Sequence, residues 1–286
     1  MRPSETLLSG LIERHPALPM FVLAEVIGAA LLAPIAAGVV PPDSAVLVLA
    51  AFSASLAGVI LTGLTSGSGG LRALFGRLLV WRASIGWWLL ALFGVAAFYL
   101  GGMALASVFT GSAFSLDHVG PLYLVIPLLI FTIGTHGGLG EELGWRGFLL
   151  PRLQARHNAL VSSIIVGMLW GLWHAPLFLI EGMPFYYEIG QAYGVVPSVL
   201  GLAFFLTVPW SILLSWMYNN TRGSLLLVCV FHGAEAWKEF FMDPDTLVSS
   251  EIGFSAVLSA VAIVVVLVYG AEHLSRTKER IRFEGA

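Results

Sequence analysis

Long apolar runs separated by short polar or basic stretches dominate the chain, and their length matches what a helix needs to cross a bilayer, about 20 residues. Eight spans are read, at roughly 17–40, 43–64, 84–110, 121–150, 159–180, 195–217, 223–241 and 252–271. The expected fold is all-α: one polytopic membrane domain over residues 1–286, with a cavity at mid-membrane depth. The fourth span is the longest, and its middle, Gly134-Thr135-His136-Gly137-Gly138, predicts a break or kink. Between the second and third spans, Gly67-Ser68-Gly69-Gly70 precedes LRALFGRLLVWR. There Leu71, Leu74, Phe75 and Leu78 form one stripe with Arg72 and Arg77 off it, the pattern of a helix lying in the membrane interface. The loop at 181–194, with Glu181, Tyr186, Tyr187 and Glu188, is placed to cap a site from outside. No inverted halves are evident, which weakens a transporter reading.

Composition agrees with this pattern. The chain has 286 residues, 58% hydrophobic and only 11% charged, and its net charge of −3 carries no basic block that would suit nucleic acid. Charge placement fixes the orientation through the excess of Lys and Arg in cytoplasmic loops. With the N-terminus inside, Arg2, Arg14, Arg72, Arg77, Arg82, Arg146, Arg152, Arg156, Arg222, Arg276, Lys278, Arg280 and Arg282 all fall on the cytoplasmic side, 13 of the 14 basic residues, and only Lys238 falls outside. Both termini are therefore expected in the cytoplasm, with the chain in a bacterial plasma membrane. The N-terminal stretch lacks a signal-peptide layout, because Glu5, Glu13 and Arg14 interrupt it. Cys229, the single cysteine, excludes an intrachain disulfide and a multi-cysteine metal site, and is read as a small packing residue.

Against this background Gly140-Glu141-Glu142-Leu143-Gly144-Trp145-Arg146-Gly147 stands out. A charge near the centre of a spanning helix costs about 2.5–3.5 kcal/mol on insertion scales. Glu142 and Arg146 are four apart and can neutralise one another. Glu141, rotated by about 100°, is left for proton chemistry. In the fifth span Gly167, Gly171 and His174 share a stripe, with Trp170 one turn before His174, so that the glycines admit a neighbouring helix beside the imidazole. In the seventh span His232, Glu235 and Glu239 share a face with Cys229, and Glu239 lies near the outer, solvated end. Glu141, His174 and His232 come out at depths of roughly 16, 22 and 13 Å, which lets them meet in one cavity. Two mechanisms are open. A glutamate can take a proton from water while imidazoles stabilise the oxyanion of a peptide bond, or glutamate and histidine can hold a Zn²⁺ that activates the water. The His-Glu-x-x-His, Gly-x-Gly-Asp and Gly-x-Ser-Gly signatures of other membrane peptidases are absent.

Glu141-Glu142-x-x-x-Arg146, then Trp170-x-x-x-His174, then His232 after Asn219-Asn220-Thr221-Arg222-Gly223-Ser224 resemble the three motifs of the CPBP family. These are the type II CAAX prenyl endopeptidases and their bacterial relatives, also called the Abi family. The trio spans about 121–240, and the stretch 67–82 also looks like that of bacterial members. The resemblance implies an intramembrane peptidase with a cavity open toward the cytoplasm. Glu141 would be the base that activates water, Glu142 and Arg146 its support, His174 a second catalytic group, and His232 part of the oxyanion site. Family members are usually labelled metalloproteases, although a metal-free glutamate mechanism is also argued for them. Two positions depart from the pattern. Trp170 replaces the usual Phe, and Ala236 stands where Asn or Asp usually follows the third motif's histidine, with Glu235 beside it as a substitute.

The expected function is thus an intramembrane endopeptidase acting on a membrane-associated peptide or protein. The competing readings are an inactive scaffold or immunity protein of the same fold that binds a peptide in the same cavity, and a proton-coupled transporter that uses the same residues as a relay.

Overall fold

The computed structural model describes residues 7–111, 114–117, 119–135, 137–243 and 246–282, and no strand occurs among them. Arg2, Glu5 and His136 of the sequence reading fall outside the described residues. The helices are α1 (Leu7–Arg14), α2 (Ala17–Ala36), α3 (Ala45–Ala51), α4 (Ser53–Gly76), α5 (Ile85–Thr110), α6 (Val125–Gly134), α7 (Leu150–Gln154), α8 (Ala159–Trp173), α9 (Pro184–Tyr193), α10 (Val195–Leu202), α11 (Val208–Asn220), α12 (Leu225–Gly233), α13 (Ala236–Phe241) and α14 (Leu247–Tyr269). π-helical turns at Leu143–Leu149 and Ala203–Thr207 lead into α7 and α11. Asn158 caps α8 by accepting from Val161 N at 2.8 Å, and Ser224 caps α12 by accepting from Leu227 N at 3.1 Å.

Six segments among the described residues are long and apolar enough to cross a membrane: Ala17–Ala36, Ser53–Leu79, Ile85–Thr110, Ala159–Leu179, Val195–Asn220 and Leu247–Tyr269. The polytopic, all-helical fold stands, but the fourth and seventh expected spans are not continuous helices. The fourth is split into α6, turn residues at 135 and 137–140, the first π segment and α7. The seventh is split at Ala234–Glu235 between α12 and α13. The glycine-rich break foreseen in the fourth span is therefore real, and it has a counterpart that hydropathy did not reveal. The expected interfacial helix begins at a true discontinuity, because Gly67 takes φ 60° and ψ −155°, a left-handed conformation natural to glycine. Beyond it Leu74 is buried as expected, while Phe75 is exposed.

Small residues set the spacing of the bundle, as they do where helix backbones approach closely in membranes. A Cβ on Gly102 of α5 would lie 2.6 Å from Phe254 Cα of α14. On α8, Gly167 and Gly171 would each bring a Cβ within 2.6 Å of the Cα atoms of Val208 and Ala203, and the Thr207 hydroxyl donates to Gly167 O at 2.7 Å. The glycine stripe beside His174 thus receives a neighbouring helix, at the second π turn.

The two ends of the bundle differ in chemistry. At one end Arg156 donates to the carbonyls of Glu13 and Arg14, Arg222 to Arg82 O, and Arg280 to Gln154 O, while Arg77 lies over the Tyr218 ring. Asn219 pairs there with Gln154 and with His273 O, so the connections expected inside and the chain after α14 meet. At the opposite end Gly120 N donates to Phe240 O, Lys238 pairs with Glu251 at 2.8 Å, and Leu32, Ile35, Ala50, Ile180 and Met183 form a small apolar cluster. Of the arginines counted with the basic end, Arg146 is fully buried in an ion pair, and Arg152 is buried with Nη1 donating to Phe148 O and Nη2 to Thr65 Oγ1.

Candidate active site

The two broken passes lie against each other, and the breaks are what bring the polar residues together. Thr132 Oγ1 of α6 donates to Gly233 O at 2.5 Å, and a Cβ on Gly137 would lie 3.3 Å from Gly233 Cα. The backbone groups freed at the fourth pass find partners: Leu139 N donates to Ile133 O, Gly140 N to Thr135 O, and Ser55 N of α4 to Gly140 O. Irregular backbone at membrane depth is tolerated only where protein supplies such partners or a cavity. The chain leaving this turn places Glu141 and Glu142 on the sides of one tight turn, both amides donating to Gly138 O.

The two glutamates then part company. Glu142 has no exposed surface. Its Oε1 accepts from Arg146 Nη1 at 2.9 Å and from His232 Nδ1 at 2.6 Å. Since a carboxylate oxygen only accepts, His232 donates through Nδ1–H, which fixes the orientation of its ring and leaves Nε2 facing away from Glu142. The Arg146 guanidinium carbon sits 5.0 Å from the Trp170 ring centroid, a cation–π contact in a desolvated place. Trp170 also meets His232 edge-on at 5.0 Å and His174 at 6.1 Å. One indole therefore touches the arginine and both histidines. Glu141 lies at the edge of this cluster, 5% exposed, and its Oε2 is buried without a hydrogen-bond partner.

That carboxylate lines a cavity of 750 Å³ together with Trp170, His174, Tyr186, His232 and Glu235. His174 Nδ1 lies 2.8 Å from Trp170 O. A carbonyl only accepts, so Nδ1 carries the proton, and a neutral His174 keeps Nε2 as an acceptor. Tyr186 of α9 stacks on the His174 ring, 5.7 Å between centroids at 20°, so the 181–194 segment does cover the site. Glu235 brings Oε2 to 3.8 Å from His232 Nε2.

Of the residues named from sequence, Glu141, Trp170, His174, His232 and Glu235 line one cavity, while Glu142 and Arg146 stand behind it. Ala236 is buried, does not line the cavity, and begins α13. Because the helix breaks before it, position 236 does not continue the His232 face, contrary to the continuous helix expected there. Sequence reading did not single out Glu25, Trp173, Trp210 and Glu251 as lining residues. Each belongs to a different pass, and only the tertiary packing joins them.

Among the described residues no group of three His, Cys, Asp or Glu side chains is placed to hold a metal ion. The Nδ1 atoms of both histidines are committed to protein partners, which leaves Nε2 as the remaining nitrogen of each ring.

Of the residues that line the cavity, Asp43, Phe131, Glu239 and Met242 are exposed.

Comparison with known proteins agrees with the motifs. Residues 123–237 match the family described as type II CAAX prenyl endopeptidase, Rce1-like. The chain is also similar to CAAX prenyl protease 2 of Methanococcus maripaludis, 35% identical over 123 residues, which are 43% of this chain and 40% of that protein. That match spans less than half the length of either protein, and the family match over 123–237 contains Glu141, Glu142, Arg146, Trp170, His174 and His232. Through this stretch, 123–237, the chain is similar to the Rce1-like type II CAAX prenyl endopeptidases.

Proposed function

We propose that this protein is an intramembrane endopeptidase that hydrolyses a peptide bond with water activated by Glu141. The observation that carries the proposal is the contrast between adjacent carboxylates. Both have a buried Oε2 without a partner, but Glu142 is tied through Oε1 to Arg146 and His232 in the protein interior, whereas Glu141 lines the cavity that it shares with two histidines. The similarity to a protein named as a CAAX prenyl protease supports the same class of reaction.

In this mechanism a water between Glu141 and His174 gives its proton to the Glu141 carboxylate, and its oxygen attacks the scissile carbonyl carbon. His174, with Nδ1–H held by Trp170 O, offers Nε2 as the second acceptor that orients the water. His232 stabilises the developing oxyanion through Nε2. That nitrogen donates only when the ring is cationic, and the Glu142 carboxylate on the other nitrogen balances that charge. Collapse of the tetrahedral intermediate breaks the C–N bond as Glu141 returns its proton to the leaving amine. The substrate is a membrane-associated peptide or protein, and the protein sits in a bacterial plasma membrane with both termini in the cytoplasm.

The test is cleavage of a quenched peptide panel by purified protein in lipid. Wild type cleaves and Glu141→Gln does not. Ala236, at the position of the family's usual Asn or Asp, favours a second reading in which the cavity binds a peptide without cutting it. Peptide binding with no cleavage by wild type would select that reading.

A further inference from the structure

We infer that Glu25 is a specificity-determining residue of the cavity, where its carboxylate takes a basic side chain, Lys or Arg, of the bound peptide. The inference deepens the peptidase reading above and rests on it for what the cavity binds.

α2 carries a single charged residue, Glu25, near the middle of a segment long and apolar enough to cross a membrane. Ionisable residues in such segments are costly, and they face the bundle interior or a cavity and pair with an opposite charge. Glu25, Gly28 and Leu32 fall at i, i+3 and i+7 and line the cavity together, so the glutamate stands on the inward stripe of α2. Contacts on either side of it fix its level. Toward the start of α2, a Cβ on Gly144 would lie 2.5 Å from Met20 Cε, which seats α2 against the segment just after Glu141 and Glu142. Toward its end, a Cβ on Gly28 would lie 3.2 Å from Ser53 Oγ, the atom that accepts from Trp173 Nε1 at 3.0 Å. The Trp173 ring in turn meets His174 at 4.9 Å. Glu25 therefore lies along α2 between the glutamate motif and the tryptophan beside His174.

No cation of the protein answers its charge. Among the described residues Glu25, half-buried, makes no hydrogen bond or ion pair. Lys238 is the one Lys or Arg that lines the cavity, and Glu251 takes it at 2.8 Å. Arg146 is committed to Glu142, and Glu235 has His232 at 3.8 Å. Glu141, buried and with Oε2 lacking a partner, adds a second carboxylate to the same wall. A peptide cation placed at Glu25 forms a charge-assisted hydrogen bond in a water-poor site. An acidic side chain there meets a like charge, so selection works by repulsion as well as attraction. Glu25 lies outside the stretch 123–237 matched to the family, so this recognition is separate from the shared motifs.

Binding to the full chain carrying Glu141→Gln, in which the base is removed, separates recognition from turnover. Nanodiscs of zwitterionic phosphatidylcholine give a cationic peptide no anionic lipid to bind. Fluorescence anisotropy then reads dissociation constants for a short labelled apolar peptide with one lysine, moved through each position in turn, and for the same peptides with norleucine or glutamate in its place. At one position the lysine peptide should bind about 10- to 100-fold tighter than the norleucine peptide, the range for a hydrogen bond to a charged group, and the glutamate peptide should bind weakest. Adding Glu25→Gln should abolish the preference, and Glu25→Lys should reverse it. Glu25→Gln keeps the side chain's shape and guards against a Glu25→Lys protein that fails to fold. Equal binding of the three peptides at every position, or binding of none, overturns the inference. So does a lysine preference that survives Glu25→Gln, because another carboxylate would then carry it. A Glu25-dependent preference in binding with no cleavage by wild type would refute the peptidase reading and leave the recognition intact. Cleavage of all three peptides by wild type at equal kcat/KM would do the opposite.

Discussion

The pair α5 and α14 and the pair of broken passes, α6–α7 and α12–α13, are built from similarly apolar sequence and do opposite things. α5 and α14 are unbroken, 26 and 23 residues long, and meet through Gly102 and Gly253 with backbones in contact. Every backbone group within such a helix is satisfied internally, which is why it spans a membrane without further support. The broken passes also meet at glycines, Gly137 and Gly233, but there the helices end, and the freed backbone must find partners in Thr132 and Ser55. In one pair glycine serves adhesion alone. In the other it lets two chain breaks lie side by side, so that the residues after one break (Glu141, Glu142) reach those before the other (His232). Irregular backbone here is the means by which carboxylate and imidazole meet at membrane depth, and the surrounding regular helices make it tolerable.

The sharpest way to break this comparison is at Glu141. Glu141→Gln removes the base and no hydrogen bond to its orphaned Oε2. Cleavage in proteoliposomes should fall by about 10²–10⁴-fold, the range for a positioned acid–base group. Folded yield and thermal midpoint should stay near wild type. A variant retaining more than a tenth of wild-type activity would remove Glu141 from the chemistry.

Next comes the support behind it. Glu142→Ala strands the Arg146 cation with no exposed surface and deprives His232 of its Nδ1 partner. Breaking one side of a buried pair costs about 3–5 kcal/mol. The expected outcome is a lower yield of folded protein and a large fall in thermal midpoint, with activity lost alongside. Glu142→Gln keeps an acceptor for His232 and should sit between. If both variants fold like wild type and lose only activity, the division between a structural and a catalytic glutamate is wrong.

The unbroken pair supplies the contrast. Gly102→Val forces a side chain against the α14 backbone, where a Cβ alone would stand 2.6 Å from Phe254 Cα. Overpacking of this kind costs about 1–3 kcal/mol. Thermal stability should drop, while activity per folded molecule remains, because neither Gly102 nor its contact on α14 lines the cavity. A loss of turnover without loss of stability would show that α5 and α14 also position the site.

These regions were unequally legible in the sequence. Apolar run length gave five of the six intact spans to within a few residues, since lipid demands it of any continuous helix, but the second, read at 43–64, runs over Ser53–Leu79. The pair Glu142–Arg146 was legible because four residues make one helical turn. Hydropathy could not see the break at Ala234–Glu235, because a turn inside an apolar run changes no average. Nor could it see that Arg146 is internal, since a basic residue after a run looks the same whether it caps the helix or pairs within the bundle. His232 on Glu142 and Tyr186 on His174 join residues from separate passes, and only tertiary packing creates such contacts.

The smallest expected effect tests the break itself, at Ala236. Were the seventh pass one helix, positions 232 and 236 would share a face, and Ala236→Asn would add a donor beside His232. A full oxyanion donor is worth about 2.7–4 kcal/mol, so turnover would rise by an order of magnitude or more. In the observed structure α12 ends at Gly233, α13 starts at Ala236, and Ala236 is buried outside the cavity. Ala236→Asn should therefore leave the turnover number within about a factor of three, with a modest loss of stability from burying an unpaired amide, about 1–3 kcal/mol. Glu235 is the residue the break turns toward the site, with Oε2 at 3.8 Å from His232 Nε2. Glu235→Ala should lower the turnover number more than Ala236→Asn changes it, and Glu235→Gln should show whether charge or hydrogen bonding matters at that position. A large gain from Ala236→Asn with no response to Glu235→Ala would mean that the seventh pass runs as an unbroken helix in the active protein.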